Sequence, residues 1–202
     1  MEPTQERVYI QQALADPRAF VHLYDRYFER VHAYVRYRVR SQQDAEDIIA
    51  EVFLRALRGL EGFTWSHDNA FAAWLFRIAH NLLVDHYRRR EQAEVPFDAR
   101  GSLPETRREA QPVLTSRPPQ PEKALTQKEA FQRMQGLVST LSPRRQEVIT
   151  LRFFGGLRNK EIANVLELDE RTIASHLSRG LQDLRDEYAR EASTKVLQEV
   201  TG

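Results

Sequence analysis

The 202-residue chain is 41% hydrophobic and 29% charged, which excludes a disordered polymer and leaves room for one large globular domain or two small ones. Its net charge is only +1, so no bulk cationic field marks it as a polyanion binder. It has no cysteine, its six histidines lack metal-ligand spacing, and no stretch is apolar enough to span a bilayer, so disulfides, metals, cofactors and membrane insertion are not expected.

The polar N-terminus, Met1–Arg7, lacks the apolar core of a signal peptide. A first domain is expected over 8–90, built from four helices, three of which the periodicity places. Apolar residues recur at Phe20, Leu23, Tyr24, Tyr27, Val31, Tyr34 and Val35, predicting a helix over 19–39. The next helix opens at Ser41, with Asp44 three residues on as in a capping box, and buries Ala45, Ile48, Ile49, Val52, Phe53, Ala56 and Leu57. Its outer side carries Asp47, Glu51 and Arg55 at successive turns. A loop over 59–69 holds Phe63 and Trp65. The following helix, 70–90, buries Phe71, Trp74, Leu75, Ile78, Leu82 and Leu83 and aligns Arg77, Asn81, Asp85 and Arg88 on the opposite face.

Residues 91–125 contain six of the nine prolines. Proline blocks helix interiors, so this segment reads as a flexible linker between two helical domains. The second domain, 126–190, opens with a capping box at Thr126 and Glu129. A further start is marked by Ser142 followed by Pro143, and Gly155-Gly156 ends that helix. A short helix over 160–166, a turn at 167–169 and a helix capped by Asp169 complete the chain. The expected fold is therefore all-α, with two small domains.

The C-terminal unit has the apolar pattern of a helix-turn-helix: Ile162, Ala163, Val165 and Leu166, then Leu168, then Ile173 and Leu177. The outward residues of its second helix are Glu170, Arg171, Thr172, Ser175, His176 and Arg179. Such side chains suit base edges and phosphates in a major groove; the same pattern also describes a solvated hairpin. Phe63 and Trp65 beside a cationic helix face suit unpaired bases, which stack on rings and leave phosphates to arginine; both rings could instead fill the core. The acidic cluster Asp44, Glu46, Asp47 and Glu51 and the basic run Arg88-Arg89-Arg90 suggest two partners of opposite sign, or a solvated helical surface.

Together the segments resemble one family. Residues 44–57 (DAEDIIAEVFLRAL) and 71–90 (FAAWLFRIAHNLLVDHYRRR) are similar to the second conserved region of bacterial sigma factors. Residues 141–153 (LSPRRQEVITLRF) and the stretch from Asn159 to Leu177 are similar to the fourth. Two such regions with only a linker between resemble the extracytoplasmic-function (ECF) group.

The resemblance implies a non-enzymatic, cytoplasmic subunit that directs RNA polymerase to promoters. Asp44, Asp47, Glu51 and Arg55 would bind the clamp coiled coil of core polymerase, and the second domain its flap. Phe63, Trp65, Arg77, Asn81, Asp85, Arg88 and Arg89 would hold the melted −10 element. Lys160, Glu170, Arg171, Thr172, Ser175, His176 and Arg179 would read the −35 element as duplex. The linker would thread toward the RNA exit path, and an anti-sigma partner would cover these surfaces. The chain departs from the family pattern at Ala50, where glutamine is common, and at Ala174 and His176, where a basic pair is common. Its −35 preference is therefore its own.

Overall fold

The structure, a computed structural model, describes residues 3–39, 41–93, 134 and 136–201, with side chains described over 5–39, 41–90, 134 and 136–190. The prolines expected to form the linker and the capping box at Thr126 and Glu129 lie outside the described residues.

Seven α-helices have both ends among the described residues: α1 Pro3–Ala15, α2 Val21–Arg36, α3 Gln42–Gly59, α4 Ala70–Ala93, α5 Pro143–Phe153, α6 Asn159–Leu166 and α7 Glu170–Thr201; residues 136–139 are also helical. Local chemistry sets the boundaries. Pro17 ends α1 and opens a single 3₁₀ turn, Pro17–Phe20, capped by Asp16, whose side chain accepts from the Arg18 N–H. This turn, not α2, begins the element expected over 19–39. Ser41 caps α3 by accepting from the Asp44 N–H at 3.2 Å. Pro143 takes the first position of α5.

The turn between α6 and α7 explains how a helix-turn-helix manages without its common glycine. Glu167 itself adopts left-handed geometry, φ 55° and ψ 45°, a conformation that strains an L side chain. Asp169 then caps α7 through the Thr172 N–H at 2.8 Å and the Thr172 hydroxyl.

Core positions follow the helical stripes. Leu23, Val31, Tyr34, Val35, Ala45, Val52 and Ala56 are fully sequestered. Trp74 and Ile78 are only partly covered, while Phe76, absent from the expected stripe, is completely buried. Phe76 meets Tyr34 edge-on at 5.3 Å, a geometry favoured by the ring quadrupoles. In the C-terminal module, Val148, Leu151, Leu157, Ile162, Val165 and Ile173 are buried. These residues join the N-terminal helices in one continuous apolar cluster. Val138, Leu141 and Ile149 form a smaller second cluster. No helix among the described residues is long and apolar enough to cross a membrane.

Candidate nucleic-acid interface

Three surfaces carry the side chains singled out from sequence. The first is a groove between α3 and α4, lined by Asp44, Asp47, Glu51, His86, Arg89 and Arg90. Sequence placed the acidic cluster and the basic run far apart; the fold makes them opposing walls of one groove. His86 Nε2 stands 3.8 Å from Asp44 Oδ2. On the acidic wall, Arg55 Nε donates to Glu51 Oε1 at 2.6 Å one turn away, and Gln43 donates to Asp47 at 3.3 Å. Both are exposed local pairs that add little stability and remain available to a partner.

The second surface is the 59–69 loop with the outer face of α4. Phe63 is half-buried, with Phe71 at 5.6 Å and Trp74 at 5.2 Å between ring centroids. Its ring is thus committed to an aromatic cluster that includes Trp74, a residue expected only in the core. Trp65 packs on the same core and stays partly open. Arg77, Asn81, Arg88 and Arg89 are exposed along α4, with Asp85 half-buried among them. Arg88 pairs with Asp85 at 3.7 Å, and Arg89 Nε donates to the Asp85 carbonyl at 3.2 Å.

The third surface is the outward face of α7. Glu170, Arg171, Ser175 and Arg179 are exposed, while Ile173 on the opposite side is fully buried. Ala163, 6% exposed, is buried on α6, where a small residue suits close helix packing. Lys160 is exposed at the start of α6. Thr172 differs from the others, because its hydroxyl donates to Asp169 within the cap. Those bonds, the side-chain one first, hold the Asp169 carboxyl below its ordinary range. His176 is half-buried.

Sequence reasoning missed a fourth feature: the two modules touch, through polar groups from both sides. Arg30 Nε donates to the Phe154 carbonyl at 3.2 Å, and Arg30 Nη2 donates to the Gly155 carbonyl. Asn69 Nδ2 donates to the Gly156 carbonyl at 3.0 Å and to Glu161 Oε2 at 3.3 Å. His67 Nε2 lies 3.6 Å from Glu161 Oε1. Arg77 Nη2 donates to Glu167 at 3.2 Å, and Arg38 Nη1 to Thr150 Oγ1 at 2.8 Å. His80 Nδ1 stands 3.4 Å from Glu147. Burial lowers the His80 pKa from 6.5 despite that carboxylate. These partners are far apart in the chain and carry no periodic pattern. The one local hint was the pair Gly155-Gly156, read only as a helix stop.

Comparisons with known proteins identify the family. The family model for Sigma-70 region 2 matches residues 23–93, and that for Sigma-70, region 4 matches residues 131–184. The chain is 35% identical over 167 residues to the ECF RNA polymerase sigma factor BldN of Streptomyces coelicolor, covering 82% of this chain and 59% of that protein. It is 30% identical over 174 residues to the ECF RNA polymerase sigma-E factor of Escherichia coli K12, covering 81% of this chain and 83% of that protein. In fold it is similar to the sigma factor RpoE of Bartonella quintana, solved with the anti-sigma factor NepR. That match has a TM-score of 0.58 at 18% identity and covers 83% of this chain and 94% of that one.

Proposed function

Because the chain belongs to the ECF RNA polymerase sigma factors, we propose that it binds core RNA polymerase, recognises −10 and −35 promoter elements and promotes melting at the start site. It spans 59% of the length of BldN, so the activity is argued from its own surfaces. The observation that carries it is spatial. The two matched segments fall one on each helical module, and the outward face of the second keeps Lys160, Arg171, Ser175 and Arg179 exposed.

The proposed division is 8–90 for polymerase and −10 binding, 91–125 as linker and 126–190 for −35 binding. In this reading the acidic wall of α3 (Asp44, Asp47, Glu51, with Arg55) docks a basic face of the polymerase clamp, and the second module meets the flap. Charge complementarity there sets register and encounter rate. The α7 face reads duplex DNA: Arg171 supplies the bidentate geometry suited to guanine, Ser175 a hydroxyl for several bases, and Lys160 and Arg179 cations for phosphates. Glu170, Thr172 and His176 complete that surface, Thr172 chiefly by fixing the cap.

Melting exchanges base stacking for protein contacts. Extruding a base costs a few kcal/mol of stacking, and stacking on an aromatic side chain returns about 1–3 kcal/mol. Trp65 and the half-buried Phe63 supply that platform. Arg77, Arg88 and Arg89 hold phosphates, Asn81 a base edge, and Asp85 orients the arginines. The chain performs no catalysis in this scheme; phosphodiester chemistry belongs to the polymerase. It acts in the cytoplasm, where an anti-sigma partner restrains it.

The test is in vitro transcription from genomic fragments with purified core polymerase, with and without the chain. Start sites that depend on the chain are expected. Their complete absence, or failure of the chain to associate with core polymerase, overturns the reading.

A further inference from the structure

A cavity of about 660 Å³ is lined by Arg38 beyond α2, Tyr87 of α4, and Ser142, Pro143, Arg144 and Glu147 at the start of α5. None of these residues is among those assigned above to polymerase or promoter. One continuous apolar cluster ties the helices on its two sides together, so the cavity is preformed, as small-molecule sites usually are.

The chain leaves several donors beside this cavity unused. Arg38 Nη1 donates to two neutral oxygens, the Thr150 hydroxyl at 2.8 Å and the Tyr34 carbonyl at 3.4 Å. Arg38 Nη2 is buried and has no hydrogen-bond partner. The Tyr34 hydroxyl shares that condition: the residue is 0% exposed and its oxygen is unpartnered. Arg38 lies over the Tyr34 ring at 4.1 Å. The groups that act electrostatically on the hydroxyl are Arg38, Glu147 and Tyr87, all three lining the cavity. Burial pushes its pKa up to about 12, so it stays a donor at neutral pH. A buried donor without an acceptor costs free energy, which an incoming oxygen atom recovers.

The start of α5, an 11-residue helix, adds further donors. The Ser142 side chain makes no cap bond, and Pro143 has no N–H. The Gln146 N–H reaches the Ser142 carbonyl at 3.0 Å. The Arg144 and Arg145 N–H groups before it are terminal donors that a helix leaves without an intrahelical partner, at the end where its dipole favours an anion. The one acid on the lining, Glu147, is paired with Arg144 at 2.8 Å and faces His80 Nδ1 at 3.4 Å. Its charge is answered locally, and Arg38 remains in excess.

We propose that this cavity binds a nucleoside monophosphate, with the phosphate held by Arg38, the Tyr34 hydroxyl and the first turn of α5. A phosphate accounts for the donors but for only part of the volume, which falls within the range of about 300–1,000 Å³ usual for small-molecule sites. Tyr87 is 43% exposed, and its hydroxyl donates to the Arg38 carbonyl, which fixes the ring at the rim. Tyr87 and the exposed Pro143 give the cavity apolar surfaces on which a base stacks.

The full chain is titrated by isothermal calorimetry at physiological salt, without polymerase or DNA. The probes are adenosine 5′-monophosphate, guanosine 5′-monophosphate, inorganic phosphate and adenosine. Saturable one-to-one binding of at least one monophosphate is expected, with inorganic phosphate and adenosine each about tenfold weaker. Arg38→Met is expected to weaken the monophosphate about tenfold, the loss of a charge-assisted bond. Tyr87→Leu is expected to weaken the monophosphate and to leave inorganic phosphate unchanged. Tyr34→Phe is the decisive variant, because its two effects oppose. It removes an unsatisfied hydroxyl, so the free chain is expected to melt at a higher temperature while monophosphate affinity falls about fivefold. Tyr34→Phe and Arg144→Gln carry the test should Arg38→Met lose helical content. Arg58→Ala removes an exposed cation outside the cavity and is expected to bind like the wild type. The proposal is overturned by an absence of saturable binding at millimolar concentration, or by inorganic phosphate matching the monophosphates. Full affinity in Tyr34→Phe overturns it as well. So does equal weakening by Arg58→Ala and Arg38→Met, which marks attraction to surface charge in general.

Discussion

Glu161 offers the sharpest energetic test, because one carboxylate serves two purposes. It accepts from the Arg158 N–H at 2.7 Å, closing the first turn of α6, and from Asn69 Nδ2 at 3.3 Å across the modules. A cap interaction contributes about 1 kcal/mol, and a hydrogen bond to a charged group about 1.5–3 kcal/mol. Removing a buried charge returns part of its desolvation cost. Glu161→Ala is therefore expected to destabilise the chain by about 2 kcal/mol. In urea, with a slope near 2 kcal/mol per molar, that is a midpoint shift of about 1 M. Glu161→Gln keeps an acceptor for the Arg158 N–H and loses the charge facing Asn69 and His67, so its expected cost is about 1 kcal/mol. Both hydrogen bonds end on Oε2, so the two variants separate the carboxylate's charge from its role as an acceptor. If Glu161→Gln unfolds at the wild-type midpoint, the buried charge contributes nothing and the reasoning fails. If Glu161→Ala does so too, the buried carboxylate has no structural role at all.

Other perturbations probe separate links. Gly155→Ala would place a Cβ 2.4 Å from the Leu151 carbonyl oxygen; the backbone must shift, and a loss of about 1–3 kcal/mol is expected in thermal melts. His80 faces Glu147 and Arg144 from α5, Arg38 beyond α2 and Glu167 from the turn after α6. Its pKa is depressed below 6.5 by burial, so between the depressed value and 6.5 the folded chain binds fewer protons than the unfolded one. Stability is expected to rise with pH across that window and to fall on acidification below 6.5, and His80→Gln should flatten this slope in denaturation series. Trp65→Ala is expected to weaken open-complex formation while core-polymerase binding persists; equal loss of both in permanganate footprinting and polymerase pull-down would mean a folding defect instead. Arg171→Ala is expected to cost about 1–3 kcal/mol at the base it reads, seen as lower transcription from dependent promoters with unchanged core binding.

Much of the local structure was legible in order along the chain. The Ser41 and Asp169 caps, the proline at the start of α5 and the stripes of α2 and α3 each depend on residues within about a turn of one another, where side-chain chemistry acts on the nearest backbone groups. The acidic wall of α3 and the outward face of α7 followed, because helical spacing alone decides which residues share a side. Two residues show the limit of that reasoning. Phe76 sits off the expected stripe, yet is fully buried because Tyr34 of α2 crosses over it. Phe63 reads equally as platform or filler until Phe71 and Trp74 are seen against it.

By itself, then, the sequence determined α2 to α7, though not α1, together with most of their caps and the chemistry each face offers, since these depend on short-range sterics and hydrogen bonding. Only the tertiary structure decided that the acids of α3 and the bases of α4 share one groove. It alone decided that Arg30, Arg38 and Asn69 reach the second module. Those contacts join residues roughly a hundred positions apart, from Asn69–Gly156 to Arg30–Gly155. A carboxylate such as Glu161 has the same local signature whether it faces water or a buried amide, and only the folded chain supplies the partner that distinguishes the two.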